Sequence, residues 1–322
     1  TLGIILYAIP MYWSAFRSYF MMKAFTPEGQ LEYQFMDVVQ TTIPFYILRA
    51  VGGTIYLVGV FVMVYNLIKT AKAGSFIAFE EAEAPALAKT YQAPSNSIWH
   101  SLIERKPILL LTLSLIVVGI GGIIELVPTF LVKSNVPTIS TVKPYTPLEL
   151  HGRDIYIREG CYNCHSQMIR PFRYEVTRYG EYSKAGEFVY DHPFQWGSKR
   201  TGPDLARIGG KYNDAWHFNH FLEPSSMAPG SIMPSYPSLF ENEIDKGSTM
   251  SKIHAMRKLG VPYPDGYEAI ANEDMEMQAS QMALKLEQEN KIKIASDKEI
   301  LALIAYMQRL GKDIKIQEAK LN

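Results

Sequence analysis

The sequence is poor in cysteine, since Cys161 and Cys164 are the only two among its 322 residues. A structural zinc site usually takes four thiolate or imidazole ligands in two pairs, and the chain has no second cysteine pair. Zinc is therefore disfavoured. An excess of charge of one sign is also missing, because 32 basic residues balance 32 acidic ones. No nucleic-acid partner is indicated.

The chain also lacks an initiating methionine, a basic leader and a small-residue cleavage site, because it opens at Thr1 inside an apolar run. This absence predicts that the sequence continues a longer protein. No internal repeat stands out. The stretch 80–94 is rich in Ala, Glu and Pro, a composition typical of a linker.

Long apolar runs are confined to the first 132 residues, and the remainder is mixed and polar. A helix rises about 1.5 Å per residue, so about 20 apolar residues cross roughly 30 Å of hydrocarbon. The runs lie at 2–20, 43–68 and 108–132. We predict a mainly α protein with about three transmembrane helices followed by a soluble domain.

Small and charged residues interrupt these runs. Gly52, Gly53 and Gly59 allow close contact between helices. Arg49 either snorkels to the interface or binds a partner. Glu125 either is solvated at the headgroup level or faces protein, a charged cofactor or a metal.

The basic residues between the second and third runs predict the orientation in the membrane. By the positive-inside rule that connection is cytoplasmic, so the residues after 132 lie outside. The residues concerned are Lys69, Lys72, Lys89, Arg105 and Lys106.

The two cysteines belong to the pentapeptide Cys161-Tyr162-Asn163-Cys164-His165. C-x-x-C-H is the attachment signature of a c-type haem: each thiol adds to a vinyl group, and the histidine is an axial iron ligand. A thioredoxin-like thiol pair would need a βαβ setting, whereas a helical pattern precedes Cys161 and a Pro/Gly-rich loop follows. The motif therefore predicts one covalent haem c.

Two helices are predicted around this motif. Thr146 as N-cap, Pro147 at the first helical position and a downstream Gly160 bound one of them. Ser296 and Glu299 predict a capping box for the other. The pair resembles the crossed first and last helices of c-type cytochromes, with contacts expected at Gly152, Tyr156 and Tyr306.

The second axial ligand is expected between those helices, and Met168, Met227, Met233, His217 and His220 are the candidates. Met233 is favoured because prolines and a glycine in 230–237 make a stiff loop that can hold a thioether against iron. The loop also resembles the Met-Pro-x-Tyr ligand loop of c-type cytochromes. A His/Met ligand pair raises the reduction potential of the haem relative to a pair of histidines.

A Gly-Pro-Asp-Leu turn at 202–205 is the other recognisable element. In the c-type cytochrome fold that it resembles, the proline carbonyl, here of Pro203, commonly accepts a hydrogen bond from the ring of the axial histidine. Trp196, Lys199 and Arg200 offer donors for haem propionates, or else form a surface basic cluster.

The longer sequence around these motifs resembles the monohaem subunit of cbb3-type cytochrome c oxidases over residues 100–312. Residues 1–72 resemble instead the last helices of the catalytic subunit of that enzyme, through 49–53 and 65–70. The stretches that carry the monohaem resemblance are 160–172, 178–180, 182–183, 185–187 and 190–205.

The resemblance implies the C-terminal part of a fusion of subunits I and II. It divides the chain into two catalytic-subunit helices at 1–72, a cytoplasmic linker at 73–99, a membrane anchor at 100–135 and a periplasmic class I cytochrome c domain at 136–315. The last domain would contain an insertion near 241–289, interpreted as a surface excursion.

The implied function is electron transfer in the bacterial inner membrane. Electrons from cytochrome c or a dihaem subunit would pass to a catalytic centre that reduces oxygen to water and translocates protons. The first 99 residues contain no histidine, so haem b and copper are expected in a partner or upstream part. The alternatives are a stand-alone anchored monohaem carrier and the small subunit of a nitric oxide reductase.

Overall fold

A computed structural model describes residues 1–74, 103–104, 106–131 and 138–315. The chain divides into two compact units, Thr1–Gly53 with Thr138–Asn322, and Thr54–Pro137. Across the described residues the regular structure is helical and contains no strand, so the mainly α prediction is confirmed. Most of the predicted linker at 73–99 lies outside the described residues.

Helices α1, Leu2–Lys23, and α2, Phe35–Ala73, form the N-terminal pair. They touch at Gly52, where an added Cβ would lie 2.6 Å from the backbone nitrogen of Tyr7. The predicted close contact is thus confirmed at Gly52, whereas a Cβ at Gly59 would meet nothing within 4 Å. Arg49 finds its partners here.

The Arg49 guanidinium is held by sulfur and aromatic rings. Its Nη1 donates to Met11 Sδ at 3.5 Å, and its Cζ lies 5.2 Å from the Tyr46 ring centroid and 5.8 Å from that of Tyr7. Cation–π contacts of this kind stabilise a guanidinium with few water molecules around it.

Two of the described helices are long and apolar enough to cross a membrane: α2 and α3, Pro107–Leu131. The large apolar side chains of α3 are exposed, up to 81% for Ile108, and an apolar surface of that extent needs lipid or protein to cover it. Two of the about three predicted spans are thus found as candidate membrane helices, and the span at 2–20 stays a prediction. Glu125 is exposed on α3.

The remaining helices lie in the C-terminal part of the chain. They are α4 Pro147–Arg158, α5 Arg173–Tyr179, α6 Asp214–Leu222, α7 Pro224–Met227, α8 Ser238–Glu241, α9 Thr249–Lys258, α10 Tyr267–Asn290 and α11 Glu299–Arg309. Short 3₁₀ turns occur at Cys161–Asn163, Ala185–Phe188 and Lys246–Ser248.

The predicted N-terminal cap of α4 is confirmed, and the capping box predicted for α11 is wrong. Thr146 Oγ1 accepts from the Glu149 N–H at 3.3 Å, and the Glu149 carboxylate accepts from the Thr146 N–H at 2.8 Å. Lys298, and not Ser296, precedes α11, with no side-chain cap bond. The Glu299 carboxylate instead binds the Arg158 guanidinium of α4 through two 2.6 Å hydrogen bonds, so it is not available to cap the backbone.

Helices α4 and α11 cross, as predicted. An added Cβ at Gly152 would overlap the Ala302 carbonyl and lie 2.8 Å from Tyr306 Cβ, so glycine sets the distance between the helices. The Tyr156 and Tyr306 rings pack at 5.4 Å. Both tyrosines are fully buried, and the crossing forms the centre of the core.

The region 241–289 is part of that core. Ile253 on α9 and Met275 on α10 are 0% and 1% exposed, in clusters that include residues of α4. The interpretation as a surface excursion is therefore wrong. The methionines of this stretch do not indicate its burial from the sequence, because Met256 and Met275 are buried while Met250 and Met277 are exposed.

The helix crossing predicts the effect of a single methyl group. Gly152→Ala should destabilise the protein by about 1–3 kcal/mol, because the crossing has no room for a Cβ. Denaturant unfolding in detergent, followed by tryptophan fluorescence, measures this. Gly247→Ala is the control, since its Cβ would meet only Asp245 Oδ1 at 3.4 Å; equal unfolding midpoints would contradict the prediction.

Candidate functional site

The C-x-x-C-H loop follows α4 directly. Gly160, with φ +69°, ends the helix in a left-handed conformation and starts the 3₁₀ turn. The N–H groups of Cys164 and His165 both donate to the Cys161 carbonyl, at 3.1 and 2.9 Å. Cys161 is buried, Cys164 is exposed, and no disulfide joins them. The loop thus lies where the core meets the surface.

The surroundings of Cys161 disfavour its thiolate form. Burial raises the pKa of Cys161 to about 12, and the Glu159 carboxylate adds to the shift. Reactive cysteines have lowered pKa values. In the part of the chain that the structure describes, no three His, Cys, Asp or Glu side chains are grouped to hold a metal ion.

The Gly-Pro-Asp-Leu turn at 202–205 orients His165, as predicted. The Nδ1 atom of His165 lies 2.8 Å from the Pro203 carbonyl oxygen. A carbonyl can only accept, so Nδ1 carries the proton and Nε2 keeps a free lone pair. Burial lowers the pKa of His165, against the effect of the Pro203 bond. The neutral ring with a free Nε2 is the form that binds iron.

Gly202 leaves room for this ring. An added Cβ would lie 2.6 Å from both ring nitrogens of His165, and the Gly202 N–H donates to the Cys164 carbonyl at 2.8 Å. Any side chain at this position would displace the imidazole. The predicted turn at 202–205 therefore packs directly against the histidine.

A buried polar network joins the two segments behind His165. Ser166 Oγ donates to Asp204 Oδ2 at 2.5 Å, and Arg200 Nε donates to Ser166 Oγ at 2.7 Å. The Met168 N–H also donates to Asp204 Oδ2, at 2.9 Å. Ser166 and Asp204 are 1% and 5% exposed. The network fixes the C-x-x-C-H loop against the Gly-Pro-Asp-Leu turn.

The Arg200 guanidinium makes its hydrogen bonds within this network. Its Nη1 lies 2.8 Å from Glu175 Oε1, and its Nη2 donates to the Met168 carbonyl and to Glu175 Oε2. All three guanidinium nitrogens thus have protein partners, which leaves little donor capacity for a propionate. Lys199 is exposed. The predicted propionate role of Arg200 stays a prediction.

Trp196 has a free donor. Its ring stacks on Phe194 at 4.5 Å, and its carbonyl accepts from the Gln167 N–H at 2.7 Å. Its buried Nε1 has no hydrogen-bond partner among the described residues. A buried unpaired donor is costly, and a haem carboxylate would be a suitable acceptor.

The Met233 loop lies beside the attachment loop. Met233 packs against the core cluster that contains Cys161, and the Tyr236 N–H donates to the Phe221 carbonyl of α6 at 3.0 Å. Burial raises the pKa of Tyr236 to about 12, and Cys161 and Cys164 contribute. The Met233 loop is therefore close enough to the two cysteines for Tyr236 to interact with them electrostatically.

The alternative ligands on α6 are also close. His217 Nε2 and His220 Nδ1 are buried without partners among the described residues. Burial lowers the pKa of each histidine to about 4, and His165 lowers that of His220 further. The structure thus brings α6, the Met233 loop and His165 into one region.

Sequence reasoning missed Glu175 and Ser166. Glu175 is 0% exposed and pairs with Arg200, 25 residues away. No local pattern distinguishes it from a surface glutamate on a short helix, because its role arises from the tertiary contact. Ser166 follows the motif directly, but a serine at that position carries no signal by itself.

The fold and the site together define the class: a helical protein in which a C-x-x-C-H loop lies at the edge of the core and a proline carbonyl orients the histidine of that loop. The family described as cytochrome C oxidase, mono-heme subunit/FixO, matches residues 100–314, about two thirds of the chain. The chain belongs to this family.

Curated relatives match a shorter stretch. A cytochrome c oxidase subunit 1 homolog of Bradyrhizobium diazoefficiens is 45% identical over 74 residues, 23% of this chain and 14% of that protein. Cytochrome c oxidase subunit 1 of Rhodobacter capsulatus is 39% identical over 70 residues, 22% of this chain and 13% of that protein.

A third relative is the cbb3-type cytochrome c oxidase subunit CcoN1 of Stutzerimonas stutzeri, 29% identical over 82 residues, 26% of this chain and 17% of that protein. The chain spans less than a fifth of the length of the curated relatives it matches. Together with the family, these similarities support a role in a cbb3-type oxidase. Two helices able to cross a membrane also indicate a membrane protein.

The Arg200–Glu175 contact predicts acid sensitivity. Burial opposes ionisation of Glu175, but the hydrogen bonds and charges of Arg200 and Arg170 outweigh it, and the pKa of this carboxyl is lowered. Its stabilising effect is therefore complete above the unfolded value of about 4.3 and is lost as the pH falls through the folded value.

Glu175→Gln should destabilise the protein at pH 7, by up to about 3–5 kcal/mol, because the largely buried Arg200 guanidinium loses its nearest carboxylate partner and keeps only Asp204, at 3.4 Å. Its stability should also fall less steeply below about pH 4.3 than that of the wild type. Denaturant midpoints from pH 7 to pH 3 check this against Glu276→Gln, which breaks an exposed pair with Lys246. Parallel acid limbs for wild type and Glu175→Gln would refute the assignment.

Proposed function

We propose that the chain carries one c-type haem and transfers single electrons through it. Cys161 and Cys164 would hold the group, and His165 and Met233 would ligate its iron. The hydrogen bond from His165 Nδ1 to Pro203 supports this most directly, because it presents an unprotonated Nε2 beside two free thiols. These residues fit the group in donor type and protonation state.

When bound, the haem supplies a one-electron ferric/ferrous couple. The chain's own residues tune it. The Pro203 carbonyl makes His165 more basic, and the buried apolar residues around Cys161, including Leu205 and Phe218, exclude water. A thioether from Met233 would raise the potential relative to a second histidine. Trp196 Nε1 is free to bind a propionate.

We infer that this electron transfer serves a cbb3-type oxidase that reduces oxygen to water and translocates protons. Cytochrome c or a dihaem subunit would deliver the electrons, and haem b with copper in the catalytic part would receive them. The family match and the subunit 1 similarities support this inference. A stand-alone carrier or the small subunit of a nitric oxide reductase would not account for both.

The fusion of catalytic and monohaem subunits is part of the proposal. The family match starts at residue 100, and the 99 residues before it are sufficient for the 74-residue match to a subunit 1 homolog. In this arrangement 1–72 are catalytic-subunit helices, 73–99 a linker, 100–135 an anchor and 136–315 the haem domain.

The proposed location is the bacterial inner membrane, with the haem domain in the periplasm. Lys69 and Lys72 lie at the C-terminal end of α2, and Lys106 directly precedes α3. By the positive-inside rule, these basic residues support a cytoplasmic location for the connection between the two spans. Lys89 and Arg105 of the same prediction lie outside the described residues.

Met233→Ala tests the iron ligation. The variant should keep its covalent haem on a denaturing gel but lose the low-spin His/Met absorption spectrum, because only the thioether is removed. Met250→Ala, at an exposed methionine of α9, is the control and should match the wild type. An unchanged spectrum in Met233→Ala would exclude Met233 and direct the same test to His220 and His217.

Purification of the native complex tests the oxidase role. The haem-staining polypeptide should copurify with haem b and copper, and peptides from both 1–72 and 136–315 should appear in that single band by mass spectrometry. Isolation of the chain with haem c alone, at full recovery, would favour the stand-alone carrier.

A further inference from the structure

The connection between α1 and α2 is a tight, preformed turn, called here the α1–α2 turn, residues 24–34. The Thr26 N–H donates to the Gln30 carbonyl at 2.8 Å, and the Glu32 N–H donates to the Ala24 carbonyl at 3.0 Å. Asp37 Oδ2 then accepts from the Gln34 N–H at 2.8 Å where α2 begins. The turn therefore presents a defined surface.

This turn contacts one face of α5. The Arg173 guanidinium lies 4.5 Å from the Phe25 ring centroid, and Arg178 Nη2 donates to the Tyr33 carbonyl at 3.0 Å. Burial lowers the pKa of Arg178, and the Asp37 carboxylate opposes that shift. Two arginines of α5 thus bind the turn through a ring, a carbonyl and a nearby carboxylate.

The other face of α5 supports His165. Glu175 pairs with Arg200, and the Arg200 guanidinium also lies 5.4 Å from the Tyr179 ring centroid. Arg200 in turn binds Ser166, the residue after His165. One short helix therefore connects the α1–α2 turn to the network behind the histidine.

The first turns of α2 contact the opposite side of the site. Gly230 has φ +82°, and a Cβ added there would lie 2.5 Å from Gln40 Nε2. The Ser231 N–H donates to the Ala228 carbonyl at 3.0 Å, and Ser231 Oγ accepts from the Met233 N–H at 3.2 Å. The glycine turn that leads into Met233 is thus packed against Gln40.

The length of α2 permits both contacts. Its 39 residues extend about 58 Å, whereas the hydrocarbon core is roughly 30 Å thick. The N-terminal turns, which carry Asp37 and Gln40, can therefore lie outside the hydrocarbon. The contact surface precedes residue 100 and so lies outside the stretch that defines the family.

We propose that the α1–α2 turn and the first turns of α2 form a positioning surface that holds the supports of both iron ligands, α5 on the His165 side and Gly230 on the Met233 side. The positioning of the ligands rests on the proposed haem ligation, whereas the docking itself does not. Residues outside the haem-binding sequence then influence the potential of the iron.

Two variants of the intact protein, purified in detergent with its bound haem, test this surface. In Arg178→Gln the amides of 24–34 should exchange with deuterium at least about tenfold faster, because a charge-assisted hydrogen bond is lost. In Gln40→Ala the amides of 228–233 should exchange faster, and the midpoint potential should fall as the thioether is held less firmly.

Matched controls separate positioning from general damage. Gln34→Ala changes an exposed glutamine of the same segment whose side chain makes no hydrogen bond to the described haem-side residues, and Arg257→Gln breaks ion pairs between α9 and the start of α10. Both should leave the exchange of 24–34 and 228–233 and the potential unchanged.

The outcomes are distinguishable from those of the ligand test. Wild-type exchange in both Arg178→Gln and Gln40→Ala would overturn the docking surface. Faster exchange with an unchanged potential would overturn the positioning of the ligands while the docking stands. If Met233→Ala kept the wild-type spectrum, the ligand assignment would fail, and exchange would still decide whether the surface docks.

Discussion

The arrangement of the site depends on one hydrogen bond, from His165 Nδ1 to the Pro203 carbonyl. It selects the tautomer that leaves Nε2 unprotonated, and it requires the Gly-Pro-Asp-Leu turn to lie against the C-x-x-C-H loop. Ser166, Asp204 and Arg200 hold the two segments in that position. Because these groups are buried and paired with one another, they hold the histidine in one orientation.

The core around this site is built from elements far apart in the chain. Gly152 lets α4 and α11 cross at a distance that would exclude any side chain there, and α10 adds Met275 and Leu286 to the same cluster. The crossing delivers Cys161 to the edge of the core, since the attachment loop begins where α4 ends. The fold and the site therefore share their central contacts.

Helix α5 connects the network behind His165 to the turn between the hydrophobic helices α1 and α2. Its buried Glu175 faces the network behind His165, and its arginines face the α1–α2 turn. In the proposed electron-transfer role, such a connection would keep the haem at a fixed distance and orientation. In the proposed fusion with a catalytic part, the same contacts would position the haem domain.

The sequence by itself determined what depends on local chemistry: the C-x-x-C-H motif, the Thr146 cap, two apolar spans and the proline turn behind the histidine. Only the tertiary structure decided the rest. It paired Arg200 with Glu175 and Glu299 with Arg158, and it buried a region that the sequence indicates as a surface excursion. Residues that are distant in sequence make these contacts, and a local pattern carries no record of its distant partner.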